Sequence, residues 1–335
     1  PYIFVCALAH PEKYTRKLVG SFRCGYETAL HMRNDHLGTL VQNLSCKLSS
    51  ADSWEDFVET FRGRSYLSPD IDDLDHPAAD LLRQWRDEGV PADTTSPPWT
   101  EDQKDQCILR GCHPSATLQS GFLREEMAEF IENKFWVVLP YSLVRHLQDL
   151  MLSPAAVKDE RDRKPRLLSD HSWPWPWGSV NDMTVHHAPP EAMQFGGALP
   201  RTLRLVRHAN PKFGPPRLNK QDVKDGFYRM YLRASDCLRL DVMLPRYDGE
   251  PPLVAVPLSC TMGWVQSPPT FSAMSETLSD RANALFAANP RQAPPHRLNA
   301  TAPVPYTLLP LPTTLRVHIS SLSFARPTTS YVYVA

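Results

Sequence analysis

No stretch of the chain strings together the roughly 20 apolar residues that a membrane-spanning helix needs, and the first residues lack the basic-then-apolar pattern of a secretory signal. Charge of one sign is missing too: 36 Lys and Arg face 37 Asp and Glu. The global field therefore gives no push toward nucleic acid, and any basic surface has to be local. Cysteine is sparse. The seven residues Cys6, Cys24, Cys46, Cys107, Cys112, Cys237 and Cys260 form an odd, scattered set, which points to reduced thiols inside a cell. "CILRGCH" (107–113) is their one cluster, and no second Cys/His pair at finger spacing completes the four ligands of a structural zinc site. His31, His36, His186 and His187 read as surface or turn residues. Acidic residues stop at Asp280. An initiator Met is also lacking, so a chain opening on Pro1 reads as a fragment.

Proline is what the chain has in excess, 33 of 335 residues, about twice the usual ~5% share. Many loops and some disorder are expected. Hydrophobic residues make up 42%, enough for a packed core in two or three domains. Residues 1–90 read as a weakly defined helical region. "SWEDFVETF" (53–61) and "HPAADLLRQWRDEG" (76–89) are short amphipathic helices, the second closed by Gly89. "SPDIDDLDHP" between them is an acidic, solvated loop. "VPADTTSPPWTEDQ" (90–103) is a first boundary, and 91–119 is expected to be a linker.

"SGFLREEMAEFIENKFW" (120–136) is a helix with Leu123, Met127, Phe130, Ile131 and Lys134 on one face. "VVLPYSL" is strand-like. Residues 150–172 read as strand, charged turn, strand. That turn, "KDERDRKPR", carries five basic groups in nine residues. It is either a solvated hairpin tip or a positive lid over phosphates, with Arg166 at the start of the returning strand. "WPWPW" (173–177) is a stiff aromatic elbow, since alternating prolines remove backbone donors. Further on, Arg201, Arg204 and Arg207 form a basic stripe at a spacing of three. Residues 217–260 read as four strands, with "YDGE" (247–250) as a hairpin turn. A helix follows from Ser267, its N-cap, with Pro268 at the first helical position. Phe271, Met274, Leu278, Ala282 and Leu285 should pack it on the sheet. Residues 286–335, with eight prolines and four arginines, read as a low-order tail.

Two carboxylates in "NKQDVKDGFYRMYL" (219–232), Asp222 and Asp225, precede Gly226 and an aromatic pair. Carboxylates that hold divalent metal at phosphates, a small residue that lets a nucleotide approach and a flat ring that walls the sugar are the parts phosphoryl transfer uses. Here the residues resemble a known family. The stretch 120–285 is similar to the fingers and palm of a retroelement reverse transcriptase, an RNA-directed DNA polymerase. "KQDVKDGFYRMYL" resembles its first palm motif. "SCTMGWVQSPPTF" resembles the next, with Gly263 and Ser267–Pro268 matching and Met262 where the family often has Gln. "RKPRLLSDHS" resembles the fingers strand whose arginine grips the triphosphate.

The resemblance implies a right-hand polymerase core of α+β class. It makes Asp222 the catalytic, metal-binding aspartate. Arg166, Asp225, Gly226, Phe227, Met262 and Gly263 become nucleotide-binding residues. Asp225 and Gly226 would present backbone N–H groups to the triphosphate, and Phe227 would be the steric gate. Asp170 would belong to the fingers segment. Mg²⁺ or Mn²⁺ is the family's cofactor, with template–primer and dNTP as partners. The family's aromatic-x-Asp-Asp hairpin should follow the helix, but no acidic residue remains there to supply it. The chain is therefore expected to be truncated in the palm and inactive alone. Asp241 is the next carboxylate to consider, though nothing in the sequence places it at the site. The other reading is a non-catalytic nucleic-acid-binding or scaffold remnant of a decayed element.

Overall fold

The computed structural model describes residues 32–63, 71–161, 163–188, 203, 206–208 and 223–288. The N-terminal helices begin where the sequence supplies caps. Asp35 accepts from the Gly38 N–H at 2.8 Å to open α1 (His36–Ser50), and Ser53 accepts from the Asp56 N–H at 3.1 Å to open α2 (Trp54–Arg62). α3 (Ala79–Glu88) ends at Gly89, whose φ of 90° suits a residue without a Cβ. Leu37, Val41 and Leu44, then Trp54, Phe57 and Val58, then Leu82 and Trp85 are the buried stripes of these helices.

The stretch 91–119, expected as a linker, is instead built into the core. α4 (Glu101–Arg110) starts with a reciprocal capping box between Thr100 and Gln103, and α5 (Pro114–Leu118) has Pro in its first turn. Trp99, Cys107 and Ala116 are buried. Ser, Thr and Pro that suggest a loop are here helix-start chemistry. α6 (Ser120–Glu132) follows, burying Leu123, Met127, Phe130 and Ile131 as its period predicts. Lys134, expected on that face, lies past the helix end at φ 61° and donates to the Arg62 carbonyl at 3.0 Å.

One five-stranded mixed sheet has the order β1-β5-β4-β2-β3. Its strands are β1 (Trp136–Pro140), β2 (Leu152–Glu160), β3 (Arg163–Ser169), β4 (Asp241–Met243) and β5 (Leu253–Pro257). β4 runs parallel to β2, and the other pairs are antiparallel. Every residue of β1 and β5 is buried, the mark of strands covered on both faces. β2 and β3 form the expected hairpin. Two short helices, α7 (Tyr141–Val144) and α8 (Val180–Met183), fill connections. "WPWPW" packs inward: Trp175 and Trp177 stack at 5.6 Å, and Trp175 Nε1 donates to the Leu152 carbonyl at 3.0 Å.

Only part of the four-strand expectation for 217–260 holds. Residues Phe227–Arg229 and Ala234–Leu240 are 3₁₀ turns, and β4 has three residues. Asp225 turns the chain at φ 57°, which a strand does not allow. Tyr231 and Leu232 keep only single bridges, to Ser259 and Val90. Residues 217–222 lie outside the described residues, as do Arg201, Arg204 and 289–335 of the tail.

The last helix, α9 (Ser267–Ala288), differs as well. Ser272, Ala273 and Thr277 are buried, whereas Leu278 is 42% exposed. Small and hydroxyl side chains can approach neighbours closely, and Thr277 satisfies its hydroxyl on the Ala273 carbonyl at 2.8 Å. The helix packs on the Phe227–Arg229 turn. Ser267 is fully buried, with its hydroxyl donating to the Thr261 carbonyl at 2.6 Å instead of capping. A single apolar cluster runs from Met32 to Ala273.

Candidate functional site

Three distant segments converge near the start of α9. The first is the end of β3. The second is the turn at Asp225–Gly226–Phe227. The third is the Thr261–Phe271 segment that leads into α9.

Gly263 joins the first and third. It has φ 107°, and a Cβ built on it would stand 2.0 Å from the Ser169 carbonyl oxygen. Only glycine lets the two backbones meet so closely. Thr261 donates to Ser169 Oγ at 3.2 Å. Asn181 of α8 completes the clasp. Its amide donates to Ser172 Oγ at 2.8 Å and to the Gly263 carbonyl at 2.9 Å, and its side-chain oxygen accepts from the Val265 N–H at 2.9 Å. Met262, next to this clasp, is 37% exposed.

Phe271 joins the second and third. A Cβ on Gly226 would lie 2.9 Å from its ring, so residue 226 has to be small. The Phe227 ring meets Phe271 edge-on, at 5.8 Å and 80°. Tyr228 goes the other way and packs, half-buried, against Phe130 and Phe135, with 5.1 Å between ring centroids in each case. Burial first, then the charges of Glu126 and Asp225, pushes the Tyr228 phenol up.

Asp225 has φ 57° and Gly226 has φ −51° and ψ −47°. A left-handed residue followed by a right-handed one reverses the chain sharply here, a turn conformation of the kind whose successive N–H groups can face an anion. The Asp225 carboxylate lies 4.0 Å from both Lys224 Nζ and an Arg229 nitrogen. Lys164 of β3 bridges toward the same region, pairing with Glu126 and, at 2.9 Å, with Glu129 of α6. Burial pushes the Glu126 carboxyl above its ordinary range, partly offset by Lys164.

Arg166 sits opposite Lys158 in the hairpin register, with its Nε 3.2 Å from Glu160. Among the described residues, no hydrogen bond or ion pair joins it to Asp225, Gly226 or Gly263. Asp170 leaves the group as well: it pairs with His113 Nε2 at 2.8 Å. Asp222, the metal-binding aspartate of the resemblance, lies outside the described residues. Asp241 is described, and it does not fit a metal role. It is 0% exposed, both carboxylate oxygens lack a partner, and burial pushes its carboxyl well above the usual range. A carboxyl sealed from solvent, with burial favouring its neutral form, presents no open position to a divalent ion. Among the described residues no three His, Cys, Asp or Glu side chains gather as an ion-holding group.

Reading the sequence missed Asn181 and Lys164. Asn181 carried no local signal, because its three partners are remote in the chain. Lys164 was read only as one charge among five.

No protein-family model matches the chain, and no curated protein matches it. Among solved structures it is similar to a foamy viral protease–reverse transcriptase in complex with double-stranded DNA. The identity is 14% and the TM-score 0.32, over 67% of this chain and 35% of that one. The chain thus spans about a third of the neighbour's length. No helix among the described residues is long and apolar enough to cross a membrane.

Proposed function

We propose that this chain is a nucleotide- and nucleic-acid-binding module of the reverse-transcriptase type, unable to extend a primer by itself. The observation that carries the reading is the turn at Asp225–Gly226–Phe227. Its backbone reverses hand, a conformation that would turn its N–H groups toward an anion, and its aromatic ring packs edge-on against Phe271 of the segment that resembles the second palm motif. A triphosphate would sit on the N–H groups, and the Phe227 ring would wall the sugar. The β2–β3 hairpin, with Lys158, Arg161 and Arg163 exposed, would lie along phosphates. Arg166 would reach the triphosphate after exchanging Glu160 for it, since phosphate takes the guanidinium bidentately.

Primer extension needs more than this. In-line transfer uses carboxylates that fix ions relative to the attacking and leaving oxygens. Asp241 is sealed away, and no acidic residue follows Asp280. Asp222 would therefore act without a carboxylate partner in this chain.

The test is equilibrium binding of a fluorescent dNTP and its ribonucleotide counterpart to the full chain. Saturable binding is expected, weakened about tenfold by Arg166→Gln. Phe227→Ala should narrow the preference for the deoxy sugar. A chain that binds neither nucleotide, or in which both variants behave as wild type, sinks the reading.

A further inference from the structure

On the far side of the Phe227–Arg229 turn lies a cavity of about 410 Å³ between α3, the 71–74 segment and α9. Its floor is apolar and sealed: Leu82 is 5% exposed, Trp85 4%, Val90 2% and Met230 9%. Ile71 and Leu74 form a half-buried side wall. Met274, Leu278 and Arg281 form the opposite side, spaced four and three residues apart on one face of α9. At the rim the chemistry changes, because Arg86, Arg229 and Arg281 all line the cavity; Arg86 is paired with Asp72 and Asp87, and the other two are exposed. Among the described residues Arg229 has only the distant Asp225 as an acidic neighbour, at 4.0 Å, and Arg281 makes no ion pair.

An apolar hollow with a few polar groups at its mouth is the usual form of a small-molecule site, and this volume falls in the usual range of roughly 300–1,000 Å³. With Arg86 held by Asp72 and Asp87, the Arg229 and Arg281 guanidinium groups call for an anion that accepts from both. The apolar walls call for a hydrocarbon tail. We infer that this cavity binds a single-chain amphiphile with a carboxylate head, its tail against Leu82, Trp85 and Met274 and its head between Arg229 and Arg281. A cationic amphiphile would meet two like charges, and a headgroup without a tail would leave the floor empty. The site shares the Phe227–Arg229 turn with the proposed nucleotide site but uses none of its nucleotide-binding residues, and no arm of its test uses a nucleotide.

Dodecanoate is the probe, titrated into the full chain by calorimetry and followed by tryptophan fluorescence, since Trp85 lines the floor. Saturable binding of one equivalent is expected. Dodecyltrimethylammonium, with the same tail and the opposite charge, should bind at least about tenfold more weakly, and acetate should not bind detectably. The Arg229→Ala/Arg281→Ala double variant changes only exposed side chains and should lose about tenfold in dodecanoate affinity. Leu278→Glu, also at an exposed position, should do the same by placing a negative charge at the mouth. The inference is overturned by any of three results: no saturable dodecanoate binding, equal binding of the cationic amphiphile, or unchanged affinity in both variants.

Discussion

Two residues set hard limits at the smallest scale. Gly263 has no room for a side chain: the Ser169 carbonyl oxygen occupies the place of its Cβ, and its φ of 107° disfavours any other residue. Gly263→Ala has to move β3 or the Thr261–Trp264 turn. It should cost about 1–3 kcal/mol, the usual scale for backbone strain at such positions. Thermal denaturation beside Gly121→Ala, at a site with open space around it, is the check. An equal melting temperature for the two variants would remove the clasp from the account.

Asp241 sets the other limit. It is sealed in β4, and its carboxylate oxygens have no hydrogen-bond partner. Its folded pKa is raised by burial, so both states hold the proton at low pH and the folded state keeps it longest as pH rises. Stability is then whole below about pH 4 and falls with rising pH until the folded carboxyl ionises, each pH unit of that window costing about 1.4 kcal/mol. Asp241→Asn removes the ionisation while keeping the shape. It should match wild type in urea denaturation near pH 3 and exceed it near pH 7. A wild-type stability that rises across this window relative to Asp241→Asn contradicts the assignment.

At the scale of elements, legibility followed the strength of local signals. α2, α3 and α6 carry clear apolar periods, and the β2–β3 hairpin shows two apolar strands around a charged tip, so all four could be read. α4 could not, because its buried face is short: Cys107 and the Lys104 stem. Lys104 is buried by tertiary contact, donating to the Arg145 and Leu147 carbonyls at 3.1 and 2.6 Å, which no local pattern foretells. The aromatic and aliphatic residues of 226–244 argued for strands, and tertiary packing overrode it. Phe227 packs on Phe271 of α9 and Tyr228 on Phe130 of α6, and the left-handed Asp225 just before them breaks the extended backbone a strand needs. The capping box of α4 gives a prediction at this scale. Thr100→Ala removes the acceptor for the Gln103 N–H and should destabilise by about 1 kcal/mol, read as a lower urea midpoint with unchanged slope. A midpoint equal to wild type would mean that α4 is held by its packing alone.

For the whole molecule, the candidate site was legible as residue types and illegible as an arrangement. Gly226, Phe227 and Gly263 carried a signal in the sequence, and Phe271 was read only as a packing residue of the helix. That one phenylalanine ties two of the motifs, and one asparagine ties the third, became visible only in three dimensions. The net charge of −1 decides what nucleic-acid binding has to look like. A nearly neutral molecule has no general attraction for a polyanion, so affinity has to come from a local surface. The hairpin offers it, with Lys158, Arg161 and Arg163 exposed around the β2–β3 tip. Each phosphate neutralised releases counterions and adds about 0.9 to the slope of log affinity against log salt. Replacing the three with alanine should therefore lower the slope for a primer–template duplex by about 2–3, with the fold intact because all three side chains are exposed. The measurement is duplex affinity at several salt concentrations for wild type and the triple variant, with circular dichroism as the folding control. A slope that stays the same would place the phosphate contacts elsewhere and take the hairpin out of the interface.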